Sequence, residues 1–206
     1  MPLHSAFALL ACLILVPLAR AGLAPSPDQA KPLALGDRVP SVLVQSTAGE
    51  SVDLAALAAD QPTLLVFYRG SWCPFCNRHL AALAGIEEPL RALGWRIVAI
   101  SPDDLAGLKV AAEKNRLAYR LFSDRAMHAS AAFGLAFRMD AATVERYRAH
   151  QIDLAPVPGE PGAFWLPVPA AFLIDRQGVI RFVHADPDYK VRLSPEALLA
   201  AAQAAR

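Results

Sequence analysis

Strand and helix patterns alternate along most of this sequence of 206 residues, and this alternation predicts an α/β fold. Residues 64–68 form a short, continuous apolar run of the kind buried in the centre of a sheet, and residues 96–101 are predicted to form a second buried strand. A predicted helix follows each of these strands. Strands separated by helices usually pair in parallel, so the pattern predicts a mainly parallel sheet covered by helices.

The individual elements follow in order. Residues 42–46 and 51–54 flank a turn at 47–50, which indicates a β-hairpin near the N-terminus. The helix after strand 64–68 begins near Pro74, carries leucines at helical spacing and is expected to kink at Pro89. The later predicted elements are a strand over 96–101, a helix over 103–116, a strand over 119–122, a helix over 126–133, strands over 171–175 and 179–184 that form a hairpin, and a helix over 194–204. Residues 142–150 fit a helix or a strand, and 156–162 reads as a loop.

The first 21 residues have the pattern of a secretory signal peptide. An apolar run at 6–18 is followed by Ala19, Arg20 and Ala21, and this run is shorter than the roughly 20 residues that span a bilayer. We therefore expect export to the periplasm or the cell exterior, or membrane anchoring if the segment is not cleaved. Residues 22–34 are rich in Pro and Ala and are expected to form a flexible leader, which leaves a single domain over 35–206.

The charge balance limits the possible partners. The formal net charge is +1, and no basic stripe interrupts the sequence. Nucleic acid and anionic membrane surfaces are recognised by clustered positive charge, so neither is an expected partner. The expected partner is a small molecule or another protein.

Two cysteines, Cys73 and Cys76, remain once Cys12 is removed with the signal peptide. A disulfide between them would close a very short loop, which gives little stabilisation as a structural crosslink. A thiol reacts as the thiolate, and its pKa falls at a helix N-terminus and in a Cys-x-x-Cys motif. Cys73 has both features, so it is the predicted attacking thiol and Cys76 the resolving thiol.

A metal site is the alternative of another class. Structural zinc requires four ligands, and the sequence has no second Cys-x-x-Cys. A metal-binding or metal-delivery protein that uses Cys73, Cys76 and one histidine remains open. The candidate histidines are His79, His128, His150 and His184. Haem attachment is excluded, because Asn77 and not histidine follows the second cysteine.

Two segments carry a family resemblance: FYRGSWCPFCNRHL at 67–80 and LPVPAAFLIDRQGVIRFVHADPDYKVRLSPEAL at 166–198. Together they resemble the peroxiredoxin-like branch of the alkyl hydroperoxide reductase and thiol-specific antioxidant (AhpC/TSA) family, in the thioredoxin superfamily. The resemblance extends over about 35–204. It implies a thioredoxin-like α/β fold, in which a central mixed sheet is flanked by helices and an N-terminal β-hairpin is added.

The resemblance also implies a site. Cys73 would attack a peroxide or a disulfide, Cys76 would close an intramolecular disulfide, and the Val168–Pro169 peptide bond would be cis and packed against the pair. The residues that it places around the substrate are Arg69, Trp72, Pro74, Val168 and Pro169. No cofactor is expected, and a thiol-based donor such as a thioredoxin-like protein would return the electrons.

The sequence departs from the related patterns at three positions. Typical peroxiredoxins have Pro seven residues before the attacking cysteine and Thr or Ser three before it, where this chain has Val66 and Gly70. Ser71 or the Arg69 guanidinium would have to replace the missing hydroxyl. The buried acid of thioredoxins is replaced by Phe67. The sequence therefore leaves two substrates open, a peroxide and a protein disulfide.

Overall fold

A computed structural model describes residues 23–205, and the predicted signal peptide lies outside these residues. Seven strands form a central sheet. In sheet order they are β10 (Ile180–Ala185), β9 (Ala170–Ile174), β3 (Thr63–Phe67), β4 (Arg96–Ser101), β5 (Arg120–Ser123), β1 (Leu43–Ser46) and β2 (Ser51–Asp53). The mixed sheet and the N-terminal hairpin are confirmed.

The prediction of a mainly parallel sheet was wrong. The pairs β3–β4 and β4–β5 are parallel, and the other four pairs are antiparallel. Short turns join β1 to β2 and β9 to β10, and a short turn can connect only antiparallel neighbours. The two hairpins therefore make both edges of the sheet antiparallel.

Seven α-helices accompany the strands in the described part of the chain. They are α1 (Leu54–Asp60), α2 (Pro74–Ala84), α3 (Glu87–Ala92), α4 (Leu105–Asn115), α5 (His128–Ala132), α6 (Ala141–Ala149) and α7 (Pro195–Ala204). The single kinked helix predicted after the thiols is two helices that separate at Gly85 and Ile86, with Pro89 in the first turn of α3, where backbone N–H groups have no helical partner. None of the helices within 23–205 is long and apolar enough to cross a membrane.

The ambiguous segment after β5 forms a small second sheet and a helix. The strands are β6 (Ala136–Arg138), β8 (Phe164–Pro167) and β7 (Ala155–Pro156), in that order. Residues 142–150 belong largely to α6, which begins where the Asp140 carboxylate accepts a hydrogen bond of 2.8 Å from the Thr143 N–H. This helix brings Tyr147 towards the thiol pair.

The side chains of β3 alternate between the two faces of the sheet, as strand geometry requires. Leu64 and Val66 pack with Cys73 and Cys76 on one face. Leu65 and Phe67 pack on the other face in a cluster that contains the aromatic rings of Phe122, Phe133 and Phe172. The thiol pair is therefore part of the core on one side of the sheet.

Residues 23–34 lie along the edge of the small sheet. The Ala24 N–H donates to the Ala136 carbonyl at 2.9 Å, and the Lys31 N–H donates to the Gly134 carbonyl at 3.1 Å. Gly134 has φ +70°, and a Cβ there would lie 1.9 Å from the Lys31 carbonyl oxygen. The segment for which a flexible leader was predicted thus passes in backbone contact with the domain, at a point where only glycine fits.

Candidate active site

Cys73 is the N-cap residue of α2, directly after the loop that leaves β3. Its backbone is extended, Pro74 occupies the first helical position, and Cys73 Sγ accepts a hydrogen bond of 3.4 Å from the Cys76 N–H. A sulfur in the N-cap position receives the unpaired N–H groups and the positive end of the helix dipole. Both cysteines are free thiols and are almost completely buried.

The two thiols have opposite ionisation tendencies. A hydrogen bond from the Cys76 side chain, outweighing the effect of burial, lowers the pKa of Cys73 to about 6, and the Cys76 N–H, Arg69 and Arg192 act in the same direction. Burial, followed by the contact with Cys73, raises the pKa of Cys76. At neutral pH, Cys73 is therefore the thiolate and Cys76 is the thiol that donates to it.

Arg69 lies just after β3 with its guanidinium inside an aromatic cage of Trp72, Tyr147 and Tyr189. The guanidinium carbon is 3.9 Å from the Tyr189 ring centroid, 5.0 Å from that of Trp72 and 5.6 Å from that of Tyr147, and Arg69 also donates a hydrogen bond to the Tyr147 hydroxyl. The residue is only 4% exposed, and the ion pairs of residues 23–205 do not include it. A buried cation requires a compensating anion, and the Cys73 thiolate is the anion that its charge stabilises.

Gly70 has φ +146°, a conformation that essentially only glycine adopts. A Cβ at this position would lie 2.4 Å from Nε1 of Trp72. The next residue, Ser71, donates from its N–H and its hydroxyl to the buried Asp103 carboxylate, at 2.8 and 3.1 Å. The Thr or Ser side chain that typical peroxiredoxins have at this position would therefore clash with Trp72. The Ser71 hydroxyl already donates a hydrogen bond to Asp103.

The prediction of a cis Val168–Pro169 bond was wrong, because this peptide bond is trans. The Val168 N–H donates to the Leu135 carbonyl at 2.9 Å, and the chain passes extended from β8 in the small sheet to β9 in the large one. A trans bond is the lower-energy form of X–Pro, and no chain reversal is needed at this crossing. Because its N–H is engaged, Val168 has no free amide N–H to offer a substrate.

A cavity of about 430 Å³ adjoins Arg69. Of the substrate-contacting residues predicted from the sequence, Arg69 and Pro169 line it. The other ionisable lining side chains are Arg138, Asp140, Arg146, Tyr147, His150 and Tyr189. Trp72 contacts the cavity wall through an edge-to-face contact of 5.1 Å with Tyr147, whereas Pro74 is exposed at the start of α2.

Sequence reasoning missed Arg192, Asp103, Tyr147 and Tyr189. Arg192 lies between β10 and α7, and its Nη2 is 3.7 Å from Sγ of Cys76. It is far from the thiols in the sequence, and no motif spacing connects the two positions, so only the topology brings them together. Tyr147 belongs to the stretch whose secondary structure was ambiguous.

The described residues contain no ligand set for the metal site that was the alternative prediction. Within residues 23–205, no three side chains of His, Cys, Asp or Glu lie close enough together to hold a metal ion. His79 is on α2 after Cys76, and burial, reinforced by the nearby Arg192 and His184, lowers the pKa of His79 to about 4. His79 is therefore neutral at physiological pH.

Solved structures with the same fold include peroxiredoxins. The peroxidoxin BcpB of Mycobacterium tuberculosis aligns with a TM-score of 0.64 and 22% identity, over 84% of this chain and 99% of that one. Reduced Prx3 of Vibrio vulnificus in complex with hydrogen peroxide aligns with a TM-score of 0.66 and 21% identity, over 82% of this chain and 99% of that one. These similarities confirm the predicted thioredoxin-like fold.

The chain is also similar in sequence to curated proteins over shorter ranges. It is 39% identical over 67 residues to a prostamide/prostaglandin F synthase of Salmo salar, an alignment that covers 32% of this chain and 33% of the relative. It is 30% identical over 89 residues to a chloroplastic peroxiredoxin Q of Triticum aestivum, covering 43% and 41%. The matches therefore cover 33% and 41% of the length of these two relatives.

The AhpC/TSA family model matches residues 35–183, a range that contains β1 to β9, most of β10, α2 and both thiols. Cys73 thus lies at the helix start that follows the central strand β3, inside the matched range. The predicted resemblance is confirmed: the chain belongs to the AhpC/TSA family.

Proposed function

We propose that this protein is a peroxiredoxin-type thiol peroxidase in which Cys73 attacks the peroxide and Cys76 resolves the product. The observation that carries the proposal is the state of Cys73: an N-cap sulfur, hydrogen-bonded to Cys76, with its pKa lowered to about 6. A thiolate at neutral pH is the form that attacks a peroxide. Family membership supports the same activity.

In the first step the Cys73 thiolate attacks one peroxide oxygen. An S–O bond forms, the O–O bond breaks, and the leaving hydroxide or alkoxide takes a proton from solvent, which leaves Cys73 as a sulfenic acid. The charge moves from sulfur to the leaving oxygen during this step. The Arg69 guanidinium, fixed by its aromatic cage, is the positive group placed to stabilise that charge.

In the second step Cys76 attacks the sulfenic sulfur of Cys73. An S–S bond forms, the S–O bond breaks, and the hydroxyl leaves as water with the proton from Cys76. Two electrons from an external dithiol then reduce the disulfide by thiol exchange. A thioredoxin-like protein is the class of donor that fits this chemistry.

A second candidate is thiol–disulfide exchange on protein disulfides. Gly70 favours it, because the hydroxyl that orients a peroxide in typical peroxiredoxins has no room at this position. In this case Cys73 would form a mixed disulfide, and Cys76 would release the substrate. The two candidates use the same thiols but differ in the first reaction.

Stopped-flow fluorescence separates the two candidates. Reduced protein is mixed with hydrogen peroxide, and the emission of Trp72, the residue next to Cys73, is followed with Cys73→Ser as the blank. Trp72→Phe assigns the signal against the background of Trp95 and Trp165. A rate orders of magnitude above that of a free thiol supports the peroxidase, whereas a rate equal to that of a free thiol leaves disulfide exchange as the function.

Arg69→Met tests the part assigned to the guanidinium. Loss of one group that stabilises transition-state charge lowers a rate by about 10²-fold, and we expect a loss of that order in the peroxide reaction. Arg78→Met is the matched control, because Arg78 is an exposed arginine on α2 that stacks on Phe75. An equal effect of both changes would contradict the role of Arg69.

We also propose that the protein is exported to the periplasm or the cell exterior. The apolar run at 6–18, followed by Ala19, Arg20 and Ala21, supports this proposal. N-terminal sequencing of the full-length gene product from cell fractions tests it. A product in the cytoplasmic fraction that keeps Met1 would contradict export.

A further inference from the structure

Arg192 contacts the resolving thiol from a loop that is distant from α2 in the sequence. Its Nη2 lies 3.7 Å from Sγ of Cys76, and its Nη1 donates to the Val191 carbonyl at 2.6 Å. The ion pairs of the described residues do not include Arg192. The guanidinium is thus aimed at a sulfur and has no carboxylate partner within hydrogen-bonding distance.

Two buried groups near the contact between Cys76 and Arg192 are uncharged at neutral pH, His79 and Tyr68. His79 and His184 both have a buried Nε2 without a hydrogen-bond partner, and the lowered pKa of His79 keeps that ring neutral. Tyr68 follows β3, and burial raises the pKa of its hydroxyl, which therefore stays protonated. The Arg192 charge favours the thiolate forms of both Cys73 and Cys76, and no carboxylate of residues 23–205 forms an ion pair with it.

The fold fixes the loop that carries Arg192. The loop, residues 186–194, ends at Ser194, whose hydroxyl caps α7 by accepting from the Ala197 N–H at 3.2 Å. The helix is attached to the domain by the Trp95 indole N–H, which donates to the Ala202 carbonyl at 3.2 Å. The same loop places Tyr189 against the Arg69 guanidinium. This loop thus carries Arg192, one of the two cations near the thiols, and the ring that contacts the other, Arg69.

We propose that Arg192 is a catalytic residue for Cys76, which it stabilises as a thiolate both when Cys76 attacks and when it leaves. This inference rests on the proposed function, in which Cys76 resolves the oxidised Cys73. During resolution Cys76 must lose its proton before its sulfur bonds to Cys73, and burial opposes that ionisation. A guanidinium at hydrogen-bonding distance offsets this cost.

The same contact acts in the reductive half of the cycle. A thiolate of the external donor attacks the Cys73 sulfur, the S–S bond breaks, and Cys76 leaves with the bonding electron pair. Departure is faster for a better-stabilised thiolate. Cys76 then takes a proton from solvent and is again a buried thiol, while Cys73 is held in a mixed disulfide with the donor. The second thiol of the donor dithiol attacks the donor sulfur of that bond, and Cys73 leaves as the thiolate.

The test separates oxidation of Cys73 from closure of the disulfide. Reduced protein is mixed with one equivalent of hydrogen peroxide and quenched at intervals, and mass spectrometry counts sulfenic acid, trapped with a carbon nucleophile, and disulfide. The variants are Arg192→Met and Arg192→Lys. Lys190→Met is the matched control, since it removes one positive charge from the same loop without contacting Cys76. Thermal unfolding shows that each variant is folded.

We expect Arg192→Met to slow closure by about 10-fold or more and to change the oxidation of Cys73 far less, so that sulfenic acid accumulates. Arg192→Lys recovers part of the closure rate, because it keeps the charge but not the planar fork. Closure in Arg192→Met as fast as in the wild type, or an equal loss in Lys190→Met, would overturn the inference. Slow oxidation of Cys73 in the wild type would instead contradict the proposed peroxidase.

The pH profile of closure gives a second readout, one that damage to the packing alone would not move. The titratable and charged groups recorded near Cys76 and Arg192 are Tyr68, Arg69, Cys73, His79 and His184, and none of them is changed in the variants. Closure should require a higher pH in Arg192→Met than in the wild type, because the Cys76 thiol then ionises less readily. Superimposable profiles would overturn the inference.

Discussion

Gly70 and Trp72 are packed so closely that a Cβ atom on Gly70 would lie 2.4 Å from the indole Nε1. The Trp72 ring in turn lies against Tyr147 and forms one wall of the cage around Arg69. The Trp72 indole therefore occupies the space that a threonine side chain at position 70 would need. The same indole contacts the Arg69 guanidinium. In the proposed function, the caged Arg69 guanidinium takes the part that a hydroxyl plays in typical peroxiredoxins.

Replacing Gly70 by Ala should destabilise the protein more than replacing Gly94 by Ala. Both glycines have positive φ, at +146° and +88°, but Gly94 has nothing within 4 Å of the added Cβ. Gly94→Ala then costs about 1 kcal/mol of backbone strain, and Gly70→Ala costs about 2 kcal/mol or more, since the indole must also move. Urea unfolding measures both, and equal losses would show that the indole yields freely.

Cys76→Ala and Cys76→Ser should have different effects on the pKa of Cys73. The hydrogen bond from the Cys76 side chain is the largest cause of the lowered value of about 6. Alanine removes that donor, so the pKa of Cys73 rises towards the free value of about 8.5, whereas serine keeps a donor and holds it low. Thiolate absorbance against pH measures both. A low pKa in the alanine variant would assign the shift to the helix N-terminus instead.

The stability of the reduced protein should rise with pH between about 6 and 8. The pKa of Cys73 is lower in the folded state than in the unfolded chain, so this group's contribution is full above the unfolded value and is lost as the pH falls through about 6. The measurement is the free energy of unfolding under reducing conditions, compared with that of Cys73→Ser. The difference between the two proteins must grow with pH in this range, and a constant difference would contradict the lowered pKa.

Asp103→Asn should weaken the loop before the thiols. The Asp103 carboxylate accepts from the Ser71 N–H, the Ser71 hydroxyl and the Ser101 hydroxyl. An asparagine turns one acceptor into a donor and leaves a buried partner unpaired, at a cost of about 1–3 kcal/mol.

Asp104→Asn is the matched control for this change. Asp104 is the exposed N-cap of α4, where asparagine caps as well as aspartate. Unfolding of both variants in urea measures the difference. Equal stabilities would show that the Asp103 network contributes little.

The parts of the site that are local in sequence were predictable. The apolar run of β3, the proline at the first position of α2 and the spacing of Cys73 and Cys76 lie within a few residues of each other, so propensity and capping rules apply directly. Outside the site, helix α1 was not predicted, because its start depends on one hydrogen bond that the Asp53 side chain accepts from the Ala56 N–H. A single capping residue before a short alanine-rich segment is a weak signal.

The parts that assemble across the fold were not predictable. The cage around Arg69 takes one ring from its own loop, one from α6 and one from the loop after β10. Arg192 reaches Cys76 because α7 returns to the face of the sheet that holds α2. Hydrophobic periodicity does not show which distant residues come into contact. The prediction of a cis bond before Pro169 was wrong for a related reason, because the backbone path there depends on how the chain passes from β8 in the small sheet to β9 in the large one.

Arg69 and Arg192 give the thiol pair a positive charge that does not change during the reaction, whereas the negative charge on Cys73 is present only in the reduced protein. Closure of the disulfide removes an anion and no cation, so the oxidised site is one charge unit more positive. In the proposed cycle, a donor that attacks as a thiolate is therefore attracted more strongly to the oxidised protein than to the reduced one. We expect the two arginines to favour the thiolate in the reduced protein and the approach of the reductant to the oxidised protein.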